Sequence, residues 1–107
     1  MNDKFKNAYV VQNTHHDFDP VKKIAENIIF VTNGYEEENT LYEVISKGLE
    51  GFNNNTDILI PVGNVVANFI AGRILGEAYE EIWLAIFKDK QYHLMAMNYN
   101  SMSEKDI

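Results

Sequence analysis

Four short apolar runs punctuate the chain, at residues 8–11, 28–31, 58–62 and 82–87, each bounded by polar residues, Gly or Asn. Their length and flanks predict β-strands. Within each run the apolar residues are continuous instead of alternating, which is the pattern of strands covered on both faces in a central, helix-flanked sheet. Between the second and third runs, Leu41, Val44, Ile45, Leu49 and Phe52 recur at helical spacing, with Thr40 as the expected N-cap, Glu43 three residues after it and Gly51 near the end. Between the third and fourth, Asn64 is the expected cap of a second helix carrying Val65, Val66, Phe69, Ile70, Ile74 and Leu75, with Gly76 just beyond it. The polar stripe of this helix is only Asn64, Asn68 and Arg73, and Ala67, Ala71 and Gly72 permit close approach. It is expected either to be the central helix of the core or to be covered on a second side by another subunit. Weaker signals mark a short helix over residues 20–26 with Asp19 as its cap, a hairpin loop at Lys88-Asp89-Lys90-Gln91, and a last strand over residues 92–99.

Strand, short helix, strand, helix, strand, helix, strand, strand is the resulting order. It predicts a compact single α/β domain over residues 1–107: a central, mostly parallel sheet of about five strands, with flanking helices and a C-terminal antiparallel hairpin. Residues 100–107 are expected to form a frayed tail. The length of 107 residues leaves no room for a second domain, and 46% hydrophobic residues with two prolines exclude general disorder. No leader and no membrane span are expected, because the N-terminal residues lack an apolar core and the apolar runs are too short. A cytoplasmic location follows, in the host cell if the protein is viral. Charge narrows the partners: with 9 Lys+Arg against 16 Asp+Glu and a formal charge of -7, no direct nucleic-acid binding is expected. The absence of cysteine removes disulfides, thiolate metal sites and cysteine nucleophiles.

Ligands of open α/β sheets bind at the carboxyl ends of the strands. Three polar segments are expected there, and they supply the candidate ligand-binding residues Asn13 and Thr14, then Thr32, Asn33 and Gly34, then Gly63 and Asn64. Amides, hydroxyls and a glycine that admits close backbone approach suit a small polar or anionic ligand at the start of the second helix. The same residue types are those of ordinary turns and caps, and neither a G-x-G-x-x-G nor a Walker A sequence occurs, so no cofactor is expected. His15-His16-Asp17 is the one local group of metal-ligand types, with His93 the remaining histidine. Neighbouring histidines of an extended segment point apart, so a solvated loop and no metal site are expected. Ser46 falls mid-helix and Ser101 and Ser103 in the tail, away from any strand-to-helix elbow, so no catalytic residue is assigned. Trp83 and Phe87 are expected in the core. Tyr92, Met95, Met97 and Tyr99 are the candidate interface, on a strand that is expected to be terminal.

The stretch Thr56-Asp57-Ile58-Leu59-Ile60-Pro61-Val62-Gly63-Asn64, followed by a small-residue helix and an aromatic hairpin, resembles small uncharacterised proteins encoded by bacteriophages. The resemblance covers roughly the second half of the chain, and Lys88-Asp89-Lys90-Gln91 departs from it. It implies an origin in a virus or mobile element and an accessory role during infection. The function expected is that of a non-enzymatic, homo-oligomeric accessory protein that binds a host protein. The alternative is a small-molecule binder, of a nucleotide or nucleotide signal, using the polar loops.

Overall fold

Each apolar run becomes a strand in the computed structural model, which describes residues 4–33 and 38–100. In chain order the elements are β1 (Phe5–Gln12), a 3-10 helix (Asp19–Lys23), β2 (Ala25–Thr32), α1 (Glu38–Gly48), β3 (Asp57–Ile60), α2 (Val65–Ala78), β4 (Glu81–Lys88) and β5 (Gln91–Asn98). They build one five-stranded sheet in the order β2-β1-β3-β4-β5. The first four strands are parallel to their neighbours, and β5 runs antiparallel to β4. The fold is thus a mostly parallel α/β domain closed by a hairpin.

Handedness distributes the cover. The chain moves from β1 to β2 in one direction, and from β2 over β1 to β3 and on to β4 in the other. Right-handed crossovers then place the 3-10 helix on one face of the sheet and both α-helices on the opposite face. The buried residues divide accordingly. Tyr9, Val11, Val31, Leu59 and Ile82 pack under Leu41 and Ile45 of α1, Leu49 just after it, and Ala67, Ala71 and Leu75 of α2. Ala8, Val10, Ile58, Ile60 and Ala85 face the other way, toward Val21 of the 3-10 helix. Cover on that second face is short, and two expectations fail there. Trp83 and Phe87 are not core residues: they are 37% and 51% exposed, because the cluster around Val21 of the short 3-10 helix closes over Ala85 between them and leaves both flanks open.

Element ends also differ from expectation for physical reasons. Thr40 is not a cap, since α1 already begins at Glu38. The 3-10 helix stops at Lys23, and Ala25 and Glu26 belong to β2. Asp19 lies in its first turn and caps nothing; Asp17 Oδ1 accepts from the Asp19 N–H instead, at 2.9 Å. Gly76 lies inside α2, which runs two residues further to Ala78. A Cβ at Gly76 would sit 3.0 Å from the Tyr99 ring, so the glycine admits that ring and does not end the helix. Asn64 caps α2 as expected, its Oδ1 accepting from Val66 and Ala67 N–H at 2.8 and 3.2 Å.

At the amino end of the sheet, Asp57 is fully buried and its carboxylate is met on three sides. Asn7 Nδ2 and Thr56 Oγ1 donate to Oδ1, both at 3.1 Å, and the Asn53 N–H donates to Oδ2 at 2.9 Å. A buried charge so bonded fixes the turn before β3 against β1.

Candidate functional site

Because the connections leaving β1 and β3 diverge to opposite faces, a crevice opens between the carboxyl ends of these neighbouring strands, which is where open α/β sheets bind ligands. The polar loops do meet there. Gln12 Oε1 accepts from the Asn64 N–H at 2.5 Å, and the Asn13 N–H donates to the Thr32 carbonyl at 2.9 Å. Asn13 Oδ1 takes the His15 N–H at 3.1 Å, holding His15 at φ 61. Gly63 has φ 87, and a Cβ on it would collide with the Gln12 side chain. These bonds join the loops to one another. The N–H groups of Asn64, Val66 and Ala67, which make a helix start attractive to anions, are occupied by the amide oxygens of Gln12 and Asn64. Thr32 is buried and Asn33 exposed; Gly34 lies outside the described residues.

Open space lies beside this amide cluster, on the face of the 3-10 helix. A cleft of about 430 Å³ is lined by Thr14, His16, Asp17, Phe18 and Pro20 from the connection after β1, Val62 after β3, and Phe87 and Tyr92 from the hairpin. Phe87 and Tyr92 are in register across β4 and β5, with ring centroids 5.0 Å apart in an edge-to-face contact. Phe18 meets Phe30 in the same way at 5.4 Å. Burial pushes the Tyr92 phenol above its ordinary value, so the ring enters the cleft as a neutral donor. Thr14 Oγ1 is buried and has no hydrogen-bond partner. Two aromatic flanks, an unmet hydroxyl, a carboxylate and an imidazole are the chemistry of recognition for a flat molecule with a polar edge. No Lys or Arg lines the cleft among the described residues.

On the other face, a groove of about 850 Å³ runs along α2, between Val65, Asn68, Phe69, Gly72, Arg73 and Gly76 on one side and Met97 and Tyr99 on the other. Only one side of α2 is covered within the chain: Ala67, Ala71 and Leu75 are buried, whereas Val65 is 67% and Phe69 75% exposed. The reason is topological. A helix after β4 would cover this part of the sheet, and the chain makes the hairpin to β5 instead. Tyr99 Oη donates to the Gly72 carbonyl at 3.0 Å and anchors the end of the hairpin to α2. Burial raises the Tyr99 phenol as well.

The four candidate interface residues therefore do not form one surface. β5 is a terminal strand, and Met95 and Met97 face the helices; Tyr92 points to the opposite face and into the cleft, and Tyr99 lies beyond the strand. His15 and His16 are exposed, and His93 sits on β5 with its ring 3.0 Å from the Lys88 carbonyl. No group of three His, Asp or Glu gathers among the described residues. Ser46 is on α1, and Ser101 and Ser103 lie outside the described residues. Of the cleft, sequence reasoning named Thr14 as a ligand residue, Tyr92 as an interface residue and His16 and Asp17 in a solvated loop, placed Phe87 in the core, and did not name Phe18. Phe87 had a readable signal, being the residue that a tight two-residue hairpin places opposite Tyr92. No protein-family model matches the chain, and neither a curated protein nor a solved structure is detectably similar to it.

Proposed function

We propose that this protein is a non-enzymatic binding domain for a small, flat molecule of the nucleobase or aromatic-amine class, seated between the loop after β1 and the β4–β5 hairpin. The observation that carries the reading is Thr14 Oγ1, a buried hydroxyl without a partner in the wall of an aromatic cleft at the strand-order switch point. An unmet buried polar group costs about 1–3 kcal/mol, and a ligand edge that draws the Thr14 hydroxyl out into the cleft and bonds to it removes that penalty. Phosphate is disfavoured, because the cleft residues include no Lys or Arg and the N–H groups of Asn64, Val66 and Ala67 at the start of α2 are already bonded. Asp17 at the rim favours an amino edge. Binding is favoured over catalysis because the Asp17 carboxylate is bonded to the Asp19 N–H and not to the His16 ring, so no base in the cleft is oriented by a second side chain.

A thermal-shift series with free bases, nucleosides, aromatic amines and the matching nucleotides tests this. Bases, nucleosides or amines are expected to raise the melting temperature, since a ligand at 100 times its Kd adds about 2.7 kcal/mol, and triphosphates are expected to do less. Thr14→Val is the decisive variant. It removes an unsatisfied hydroxyl at nearly constant shape, so the free protein keeps or gains stability while the ligand-induced shift falls. No shift with any of these compounds, or an undiminished shift in Thr14→Val, refutes the assignment. An accessory role in infection, in the setting that the resemblance of residues 56–64 implies, is part of the same proposal; a gene standing outside viral or mobile DNA would remove it.

A further inference from the structure

We propose that the α2 groove is a homodimer interface, in which a second copy of this chain lays its own α2 antiparallel along the first about a two-fold axis. The face in question is made of Val65, Asn68, Phe69, Gly72, Arg73 and Gly76, which successive 100° steps place within roughly 140° of the helix circumference. Read as an antiparallel self-pair whose axis passes between positions 70 and 71, this face matches itself. Phe69 of either copy falls opposite Gly72 of the other, Val65 opposite Gly76, and Arg73 opposite Asn68. Phe69 meets the open space beside Gly72, and Val65 meets the Tyr99 ring that lies on Gly76. Phe69 is 75% exposed, and a Cβ at Gly72 would have nothing within 4 Å, so the knob and the space for it are both present on one chain. Such reciprocity is what an isologous interface requires and what a foreign partner would have no reason to find.

Charge points the same way. The chain carries a formal charge of -7, so two copies repel over most of their surfaces. Along α2 the charged residues are Arg73 and Glu77, paired at 3.1 Å, and this strip is neutral. Arg73 is brought to the wall where Asn68 Oδ1 is buried without a partner, its Nδ2 already donating to the Val62 and Asn64 carbonyls. Beyond the helix, Met97 lines the groove, and Met95 and Ile86 share its face of the sheet, 49% and 37% exposed. They extend the apolar strip that the absence of a helix after β4 leaves open.

Sedimentation equilibrium or light scattering across about 5–500 µM, a range that covers micromolar to sub-millimolar Kd, tests the proposal on the full chain. The expected mass at the upper end is twice 12.3 kDa. Phe69→Glu is expected to weaken association at least ~30-fold, as for a central aromatic anchor. Gly72→Leu is the control for folding. Its side chain points into open space and favours helix, so the melting temperature of the dilute monomer holds or rises while the groove is filled and the dimer is lost. A wild-type chain that stays at 12.3 kDa throughout overturns the proposal. So does a dimer that survives both substitutions, which would place the contact elsewhere, for example on the β5 edge. A monomer that captures a foreign helix through Phe69 also overturns it. The groove shares only Val62 with the cleft, and Phe69 and Gly72 line the groove alone, so neither result depends on the ligand proposal.

Discussion

Gly63 shows how much one residue can be asked to do. Its φ of 87 lies where L side chains are strained, and its missing Cβ is the space in which Gln12 reaches the Asn64 N–H. Gly63→Ala is therefore expected to destabilise the fold by about 1–3 kcal/mol, as a strained backbone and a displaced amide each contribute. Chemical denaturation of Gly63→Ala beside Gln12→Ala/Gly63→Ala separates the two. Removing Gln12 relieves the collision but leaves the φ penalty, so the loss in the double variant is smaller than the sum of the two single losses. The sequence showed that Gly63 and Asn64 would start a helix, and Asn64 is the cap it was read to be. What could not be read is that Gln12, 52 positions earlier, fills the site that a small polar or anionic ligand would have suited. A long-range bond between two amides has no local signature. Thr14 was in reach of a sequence argument as a loop hydroxyl, but its lack of a partner is a property of packing alone.

At the scale of elements, periodicity carried furthest where one face is simply buried. Four strands stand on the apolar runs and β5 on the weaker signal that follows the hairpin loop, and α1 stands on its stripe of Leu41 and Ile45. Ends were less legible, because they are decided by tertiary contacts: Gly76 continues α2 so that Tyr99 can lie on it, and Thr40 falls inside α1. The β4–β5 turn is a clearer case. Asp89 and Lys90 both have positive φ, 54 and 66, and Lys88 pairs with Gln91, which is the two-residue turn whose mirror-image geometry matches strand twist. Lysine is poorly suited to that conformation. Lys90→Gly is expected to stabilise the hairpin by about 0.5–1 kcal/mol, read as a higher denaturant midpoint at unchanged slope. Since this turn carries Phe87 and Tyr92, the same variant tests whether a firmer hairpin alters the cleft. For α2, an almost unbroken apolar surface was legible, but not which side would be left bare. The hairpin after β4 was expected, but which side of α2 it leaves bare depends on the strand order β2-β1-β3-β4-β5.

The whole molecule should lose stability in alkali for a reason spread over both faces of the sheet. Burial raises the phenols of Tyr9, Tyr92 and Tyr99 above the ordinary 10.0, and for Tyr9 the neighbouring Asp57 charge and Tyr79 add to it. Below pH 10 these tyrosines are neutral in the folded and unfolded chains alike, and their packing contributes in full. Above it the unfolded chain releases their protons first and is favoured, so stability declines as pH rises toward the higher folded values. Urea midpoints are expected to hold between about pH 8 and 9.5 and to fall beyond pH 10, with a shallower fall in Tyr99→Phe. A decline that starts near neutrality, or one that Tyr99→Phe leaves unchanged, would assign alkaline loss to other groups. Tyr99→Phe should also lower stability at pH 7 by about 1 kcal/mol, the worth of its bond to the Gly72 carbonyl.

The strand order also governs the tempo of folding. β1 lies between β2 and β3, so the first strand to be synthesised has one neighbour close at hand and another, opposite Asn7, that begins 50 residues later at Asp57. Until β3 has been made, a strand of Tyr9, Val10 and Val11 holds an unsatisfied edge and half its apolar surface in water. Parallel pairings of such separation belong to slow folders, in the range of milliseconds to seconds, whose nascent chains depend on shielding. A ribosome stalled before residue 57 would thus carry a sheet with its centre exposed, and the domain becomes safe from aggregation only when its second half arrives.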